Sequence, residues 1–184
     1  MLKVTLFSIL LVSMVSGAID ALAQATSEQK AYECVSLIKE RTAARAADDW
    51  QQLERLAKRY LQTCKGVHNS EDLANAQEDI STAYFELGNL TAALSVAEAC
   101  ISLYYASPGC HVRRVVVFLE LGRLRDARAA LAVAEKLVAH LITNTENDLQ
   151  RDAHPLDREL NSAKLNYLRS LESRIDQLRR QVNQ

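Results

Sequence analysis

The sequence predicts an all-α protein in which antiparallel helix hairpins stack into a solenoid. The chain has 184 residues with only five glycines and two prolines, and 48% of it is hydrophobic, which suits one compact, largely helical domain. A second observation is more specific, because Glu-Leu-Gly occurs at residues 86–88 and again at 120–122, 34 residues later. A 34-residue period in helix-forming sequence is typical of tandem helix-turn-helix repeats.

Each Glu-Leu-Gly segment lies between two stretches with the apolar spacing of a helix. Apolar residues recur at steps of three and four over 80–101, on both sides of Gly88, and over 115–138, on both sides of Gly122. Gly88 and the asparagine after it suit the left-handed backbone that ends a helix. Thr91 stands where a hydroxyl can cap the next helix. We therefore expect two helix hairpins, each turning at a glycine.

These two units resemble tetratricopeptide repeats, in AYFELGNLTAALSVAEAC (83–100) and VFLELGRLRDARAALAVAEK (117–136). Both units have a bulky residue four before the glycine, a leucine two after it, and small alanines where helices approach. The matching positions besides the glycines are Tyr84, Phe118, Leu90, Leu124, Ala93, Ala127 and Ala134. The resemblance covers about residues 31–142 and implies a solenoid of about three repeats.

A third, weaker unit lies upstream, in AADDWQQLERLAKRYLQTC (46–64). There Trp50 stands in the place of the leucine, and Asp48 stands in the place of the glycine. The segment KGVHNSED (65–72) is then a longer loop between repeats. The repeat domain as a whole is predicted to span 26–142.

A long amphipathic helix is predicted to end the chain, over 158–184, after a polar linker over 143–157. Its apolar stripe is Leu168, Leu171, Ile175, Leu178 and Val182. One interpretation is a helix that caps the open end of the solenoid, as such arrays require. The alternative is a two-stranded coiled coil through which the protein forms a homodimer.

Residues 1–25 have the pattern of a secretory signal peptide. Lys3 precedes an apolar run of 12 residues, and two Ala-x-Ala sites follow at 21–25. That run is shorter than the roughly 20 residues needed to cross a bilayer, so we expect cleavage, with a mature chain that starts at Gln24 or Thr26 and has no membrane span. The protein is expected to be secreted, and periplasmic if bacterial.

Four cysteines form an even set in a chain that we expect to be exported, which favours disulfide bonds. No Cys-x-x-C motif or zinc-type Cys/His spacing is present, and four cysteines allow three connectivities. The repeat layout implied by the resemblance selects one of them. Cys34 and Cys64 would meet at adjacent ends of one hairpin, and Cys100 would pair with Cys110 across the turn between two repeats.

Charge and motifs argue against several classes of function. The formal net charge is -1, so we expect no binding to nucleic acid, which draws on clustered Lys and Arg. No nucleophile motif, Walker loop or dinucleotide fingerprint appears, and none of the four histidines shares a helical face with another. We expect no catalysis, no metal and no cofactor.

The resemblance implies that the first helix of each repeat lines a concave groove for a peptide or a partner helix. At the positions of this sequence that are equivalent to the groove-lining positions of the family, the residues are Arg45, Glu78, Thr82, Phe85, Glu86, Val112, Val116 and Leu119. The lysine and asparagine pattern with which co-chaperone relatives hold a C-terminal carboxylate is missing. Phe85, Val112, Val116 and Leu119 suggest an apolar anchor instead.

The sequence leaves two alternatives to an open peptide groove. The C-terminal helix, or a neighbouring loop, could fill the same apolar surface. The protein could also be an accessory that binds a small ligand or a sugar polymer in the envelope, in which case Tyr104 and Tyr105 form the local aromatic cluster that would serve it.

Overall fold

The computed structural model describes residues 28–151 and 154–183, so the expected signal peptide lies outside the described residues. The described residues form seven α-helices. These are α1 (28–46), α2 (Trp50–Thr63), α3 (Ser70–Glu86), α4 (Leu90–Leu103), α5 (Pro108–Glu120), α6 (Leu124–Arg151) and α7 (Pro155–Val182). Within these ranges, no helix has the length and hydropathy of a membrane span.

Consecutive helices pack as hairpins, and the odd-numbered helices also pack side by side. From α2 to α7 each helix contacts the next, and α5 contacts both α3 and α7. This is the arrangement of a helix-hairpin solenoid, in which the first helices of successive hairpins share one face. The predicted all-α repeat fold is confirmed.

The predicted turns are the points where the backbone becomes left-handed. Gly88 has φ +78° and Gly122 has φ +70°, each between the two helices of a hairpin. Asp48, which replaces the glycine in the weaker unit, has φ +54°, a conformation that aspartate tolerates better than most residues. The hairpin of the weaker upstream unit, α1 and α2, therefore turns in the same way as the other two.

The cap of α4 differs from the prediction. Asn89, not Thr91, caps this helix, because its side-chain oxygen accepts from the backbone N–H of Ala92 at 3.2 Å. Helix α4 starts at Leu90, which places Thr91 inside the first turn.

The hydrophobic core has two main parts, one at each end of the solenoid. Side chains of α1, α2 and α3 form the first, around Leu37, Leu53 and Tyr60. The second lies between α5, α6 and α7 and includes Val115 and Leu131. The α7 residues in this second part are Leu168, Ile175, Leu178 and Val182. The apolar stripe of α7 therefore packs against other helices of the same chain, as expected for a helix that caps the solenoid.

Both disulfide pairings implied by the repeat layout are present. Cys34 of α1 is joined to Cys64, just after α2, with 5.8 Å between their Cα atoms. Cys100 of α4 is joined to Cys110 of α5, with 6.2 Å between their Cα atoms. All four cysteines are fully buried.

The predicted linker over 143–157 is wrong in its first part. Helix α6 runs without interruption to Arg151, and α7 begins at Pro155. The polar sequence stays helical because Ile142 and Thr145 are buried, and the Thr145 hydroxyl donates to the carbonyl of Leu141 at 2.8 Å. The gain from packing the two long helices outweighs the weak helix propensity of a Thr/Asn-rich stretch.

Candidate partner-binding groove

Two cavities lie side by side between the odd-numbered helices. The first, here called the α1 cavity, has a volume of about 360 Å³ and lies between α1, α3 and α7. The second, the α5 cavity, has a volume of about 240 Å³ and lies between α3, α5 and α7. The α1 cavity is lined by Arg41, Thr42, Arg45, Asn75, Glu78, Asp79 and Tyr167. The α5 cavity is lined mainly by Glu78, Phe85, Glu86, Val112, Arg113, Val116, Leu171 and Arg174.

A carboxylate held by two guanidinium groups lies at the inner end of the α1 cavity. Arg41 donates from Nε to Asp79 Oδ2 at 2.7 Å, and Arg45 pairs with the other oxygen, Oδ1. Arg41 and Asp79 are only 7% and 5% exposed, and the Arg41 guanidinium also lies 4.6 Å from the centre of the Tyr60 ring. This double pairing compensates for the burial of the aspartate charge.

Glu78 forms the boundary between the two cavities. Its carboxylate lies 3.9 Å from the Arg45 guanidinium, and it fills the space that a β-carbon on Gly109 would need. Burial raises the pKa of Glu78, while the charge of Arg45 opposes that shift. On the α7 side, burial and then the charge of Glu78 raise the pKa of Tyr167. A glycine early in α5 thus lets a side chain of α3 approach the helix closely.

Two arginines line the α5 cavity, and neither forms a salt bridge within the described residues. Arg113 donates from Nη2 to Thr82 Oγ1 at 2.9 Å, and its guanidinium lies 5.1 Å from the centre of the Phe85 ring. Burial lowers the pKa of Arg113, against the opposing charge of Glu78. Arg174 of α7 donates from Nη1 to Gln177 Oε1, on its own helix, at 3.0 Å.

The eight predicted groove residues all lie on α1, α3 or α5, but their surroundings differ. Arg45 lines the α1 cavity, and Glu78 lines both cavities. Five others either line the α5 cavity or hydrogen-bond to its Arg113: Thr82, Phe85, Glu86, Val112 and Val116. Leu119 packs, half-buried, against the second core cluster. Their role in binding stays a prediction.

The apolar part of the predicted surface is covered by the chain itself. Val112 and Val116 are 6% and 8% exposed, and Leu171 of α7 packs against the cluster that contains them. The structure therefore resembles the alternative in which the C-terminal helix fills this surface. The charged part of the groove, around Arg45 and Glu78, is not filled in this way.

The sequence prediction missed Arg41, Asp79, Arg113, Tyr167 and Arg174. Asp79 and Arg113 stand 34 residues apart, at equivalent positions of two repeats. Each directly follows a predicted groove residue, Glu78 or Val112, so a prediction that also took the next position of each repeat would have included both. Tyr167 and Arg174 belong to α7, which lies after the repeats, so the repeat pattern does not predict which of its residues face the groove.

The two tyrosines considered for a small-ligand site have different surroundings. Tyr104 lines a cavity of about 160 Å³ near Pro108 and Lys164. Tyr105 is 63% exposed, and its ring packs edge-on against His111, with 5.0 Å between centroids. The cavity is also smaller than the roughly 300–1,000 Å³ of typical small-molecule sites.

Comparisons with known proteins bear on the fold alone. No family model and no curated protein matches the chain. Among solved structures, the chain is similar to the TPR2B domain of yeast Sti1, in a structure described as its pHsp70 complex. The TM-score is 0.51 and the identity 11%, over 78% of this chain and 96% of that chain. A crystal structure of MamA matches over 79% of this chain and 91% of that chain, with a TM-score of 0.37 and 12% identity.

Proposed function

Because the chain folds as a tetratricopeptide repeat solenoid, we propose that it is an exported protein–protein interaction scaffold. In this proposal a peptide or a partner helix binds between α1 and α7, over the exposed face of α3. The solved Sti1 domain carries its partner in the described pHsp70 complex, and the present chain would use the same kind of solenoid for a partner of its own.

The observation that supports this proposal is a row of side chains on α1 that runs from exposed apolar residues to the lining of the α1 cavity. On α1, Val35 and Ile38 are 47% and 38% exposed, and they fall at steps of three and four with Thr42 and Arg45, which line the cavity. Exposed apolar residues on a helix face that borders a cavity are typical of interaction sites.

Helix α7 also carries a row of exposed apolar residues. Leu156, Leu160 and Tyr167 are 55%, 61% and 43% exposed, and steps of four and seven place them on one face of α7. Tyr167 lines the α1 cavity, together with polar Asn75 of α3. A segment with apolar side chains on two sides and polar groups between them would match the polar cavity and the exposed apolar rows of α1 and α7, as an amphipathic helix in a groove does.

Export is the second part of the proposal. Both disulfides are fully buried between helices, and structural disulfides persist mainly in oxidising compartments. Together with the signal-peptide pattern of residues 1–25, this favours a secreted protein, periplasmic in a bacterial host.

A tryptophan that blocks the α1 cavity is expected to reduce partner capture. Thr42 lines the cavity, whereas Thr143 of α6 provides a matched control. Both threonines are exposed and helical, and each donates to the carbonyl four residues earlier, at 2.9 and 3.1 Å. Thr42→Trp should lower capture from the native compartment by about tenfold, equivalent to about 1.4 kcal/mol, while Thr143→Trp should not.

The measurement is quantitative mass spectrometry of co-purified proteins, with thermal melts of both variants. Surface substitutions usually change stability by less than about 0.5 kcal/mol, so both melts should match the parent protein. Equal capture by the two variants would exclude the α1 cavity as the binding site.

A further inference from the structure

We propose that a second copy of this chain supplies the partner helix, and that the first halves of the two α7 helices pair side by side in antiparallel directions. This inference rests on the proposed function, because it names the partner helix that contacts the exposed row of α7. The row is complementary to itself when one copy is turned through 180°, and this property favours a second copy over an unrelated protein.

The first half of α7 has an exposed face that is separate from the stripe that docks the helix. All seven residues from 154 to 160 are exposed, and Leu156 and Leu160 are 55% and 61% exposed. Ala163 is exposed as well, and Tyr167 is 43% exposed. The fully buried positions of α7 begin only at Leu168. Docking of the second half therefore leaves this face of the first half available to another molecule.

The exposed residues have the spacing of a two-helix interface. Leu156, Leu160, Ala163 and Tyr167 follow one another at steps of four, three and four, which is the spacing of the core positions of a coiled coil. The four residues span about three turns of the helix. A helix that packed against this face would bury two leucines and a tyrosine that the single chain leaves in water, and burial of such side chains favours association.

This face matches a copy of itself in an antiparallel register. With a two-fold axis between residues 161 and 162, Leu160 lies opposite Ala163 of the second copy, and Leu156 lies opposite Tyr167 of the second copy. The small side chain of Ala163 leaves room for the leucine that faces it. A two-fold interface has to be self-complementary in this way, and every contact then occurs twice.

The charges along one edge of this face also favour the antiparallel direction. Asp157 and Lys164 directly follow two residues of the row and stand seven residues apart, so they lie on the same edge. Antiparallel pairing places Asp157 of each copy near Lys164 of the other copy, whereas parallel pairing in register would place like charges together. Glu71 of α3 lines the same small cavity as Lys164, so the second copy adds an acid to one that is already near.

Tyr167 connects this face to the proposed groove, because it also lines the α1 cavity. Leu156 of the second copy would contact Tyr167 and would therefore lie at the edge of that cavity. The partner helix of the proposed function would then be the start of α7 from the second copy, bound on the α7 side of the groove.

Sedimentation velocity over a concentration series, on protein purified from its native compartment with both disulfides intact, tests this proposal. The parent protein should show a monomer–dimer equilibrium. Leu156→Glu should raise the dissociation constant of the dimer by about tenfold, because it places a charge against Tyr167 of the second copy. Leu124→Glu is the matched control: Leu124 is 46% exposed and begins α6, as Leu156 lies in the first turn of α7. It should leave the dissociation constant unchanged.

Charge reversal tests the antiparallel register. Asp157→Lys alone should weaken the dimer by about tenfold, because it sets two lysines against each other at both symmetry-related places. Lys164→Asp alone should weaken it to a similar extent. The double variant Asp157→Lys/Lys164→Asp restores opposite charges at both places, so its dissociation constant should return to that of the parent protein. A merely structural effect of either change would persist in the double variant.

Four outcomes would overturn the inference. If the parent protein is monomeric at every concentration but captures a different protein in a way that Thr42→Trp abolishes, the second copy is wrong while the proposed function stands. If a dimer forms but tolerates Leu156→Glu, the copies meet elsewhere. If the double charge reversal weakens the dimer further, the antiparallel register is wrong. If the protein is monomeric and captures nothing, the inference and the proposed function fail together.

Discussion

Replacing Leu168 with alanine is expected to lower the free energy of unfolding by about 3 kcal/mol. Leu168 of α7 is 1% exposed, within the core cluster shared by α5, α6 and α7. Its truncation removes buried apolar surface and leaves a cavity, and such changes cost about 2–5 kcal/mol. The loss should appear as a lower midpoint of chemical denaturation with an unchanged slope.

Leu160 provides the control for this variant on the same helix. It is 61% exposed, so Leu160→Ala should change stability by less than about 0.5 kcal/mol. If the two leucines gave equally small effects, α7 would not be docked as a cap, and α7 would no longer form a wall of the groove.

Removing the Cys34–Cys64 disulfide is expected to be the most damaging change at the other end of the solenoid. The two cysteines are 30 residues apart, and closing a loop of that length in the unfolded chain corresponds to about 3.6 kcal/mol. The bond also ties α1 to its hairpin partner. Because α1 carries Arg41 and Arg45, partner capture should fall together with stability.

The second disulfide is the internal comparison. Cys100 and Cys110 are only 10 residues apart, which gives about 2.7 kcal/mol by the same relation. Denaturation of the two double-alanine variants under non-reducing conditions measures the difference. A Cys34→Ala/Cys64→Ala protein as stable as the parent would contradict the role given to this bond.

Local sequence features predict much of the fold because they act over short distances. Gly88 and Gly122 turn the chain where a left-handed backbone is needed, and Asp48 can do the same. The repeat layout then brings Cys34 beside Cys64, so even a long-range contact follows from the order of the helices.

Other features depend on packing between distant elements, which the local sequence does not encode. The polar stretch after Ile142 looks like a linker, yet it is helical because it packs against α7. The groove prediction relies on equivalent positions in the repeats. It therefore includes Glu78 but misses Tyr167 and Arg174, which lie after the repeats. These two residues reach the cavities through the docking of α7, which sets where its side chains meet α3 and α5.

Site-specific photocrosslinking in the native host tests the central claim most directly. A photoreactive residue at Asn75, which is exposed at the α1 cavity, should crosslink to one partner protein. The same residue at Asn147, which is exposed on α6 and does not line that cavity, should not. Crosslinking from Asn147 to the same partner, with none from Asn75, would contradict a partner-binding groove between α1 and α7.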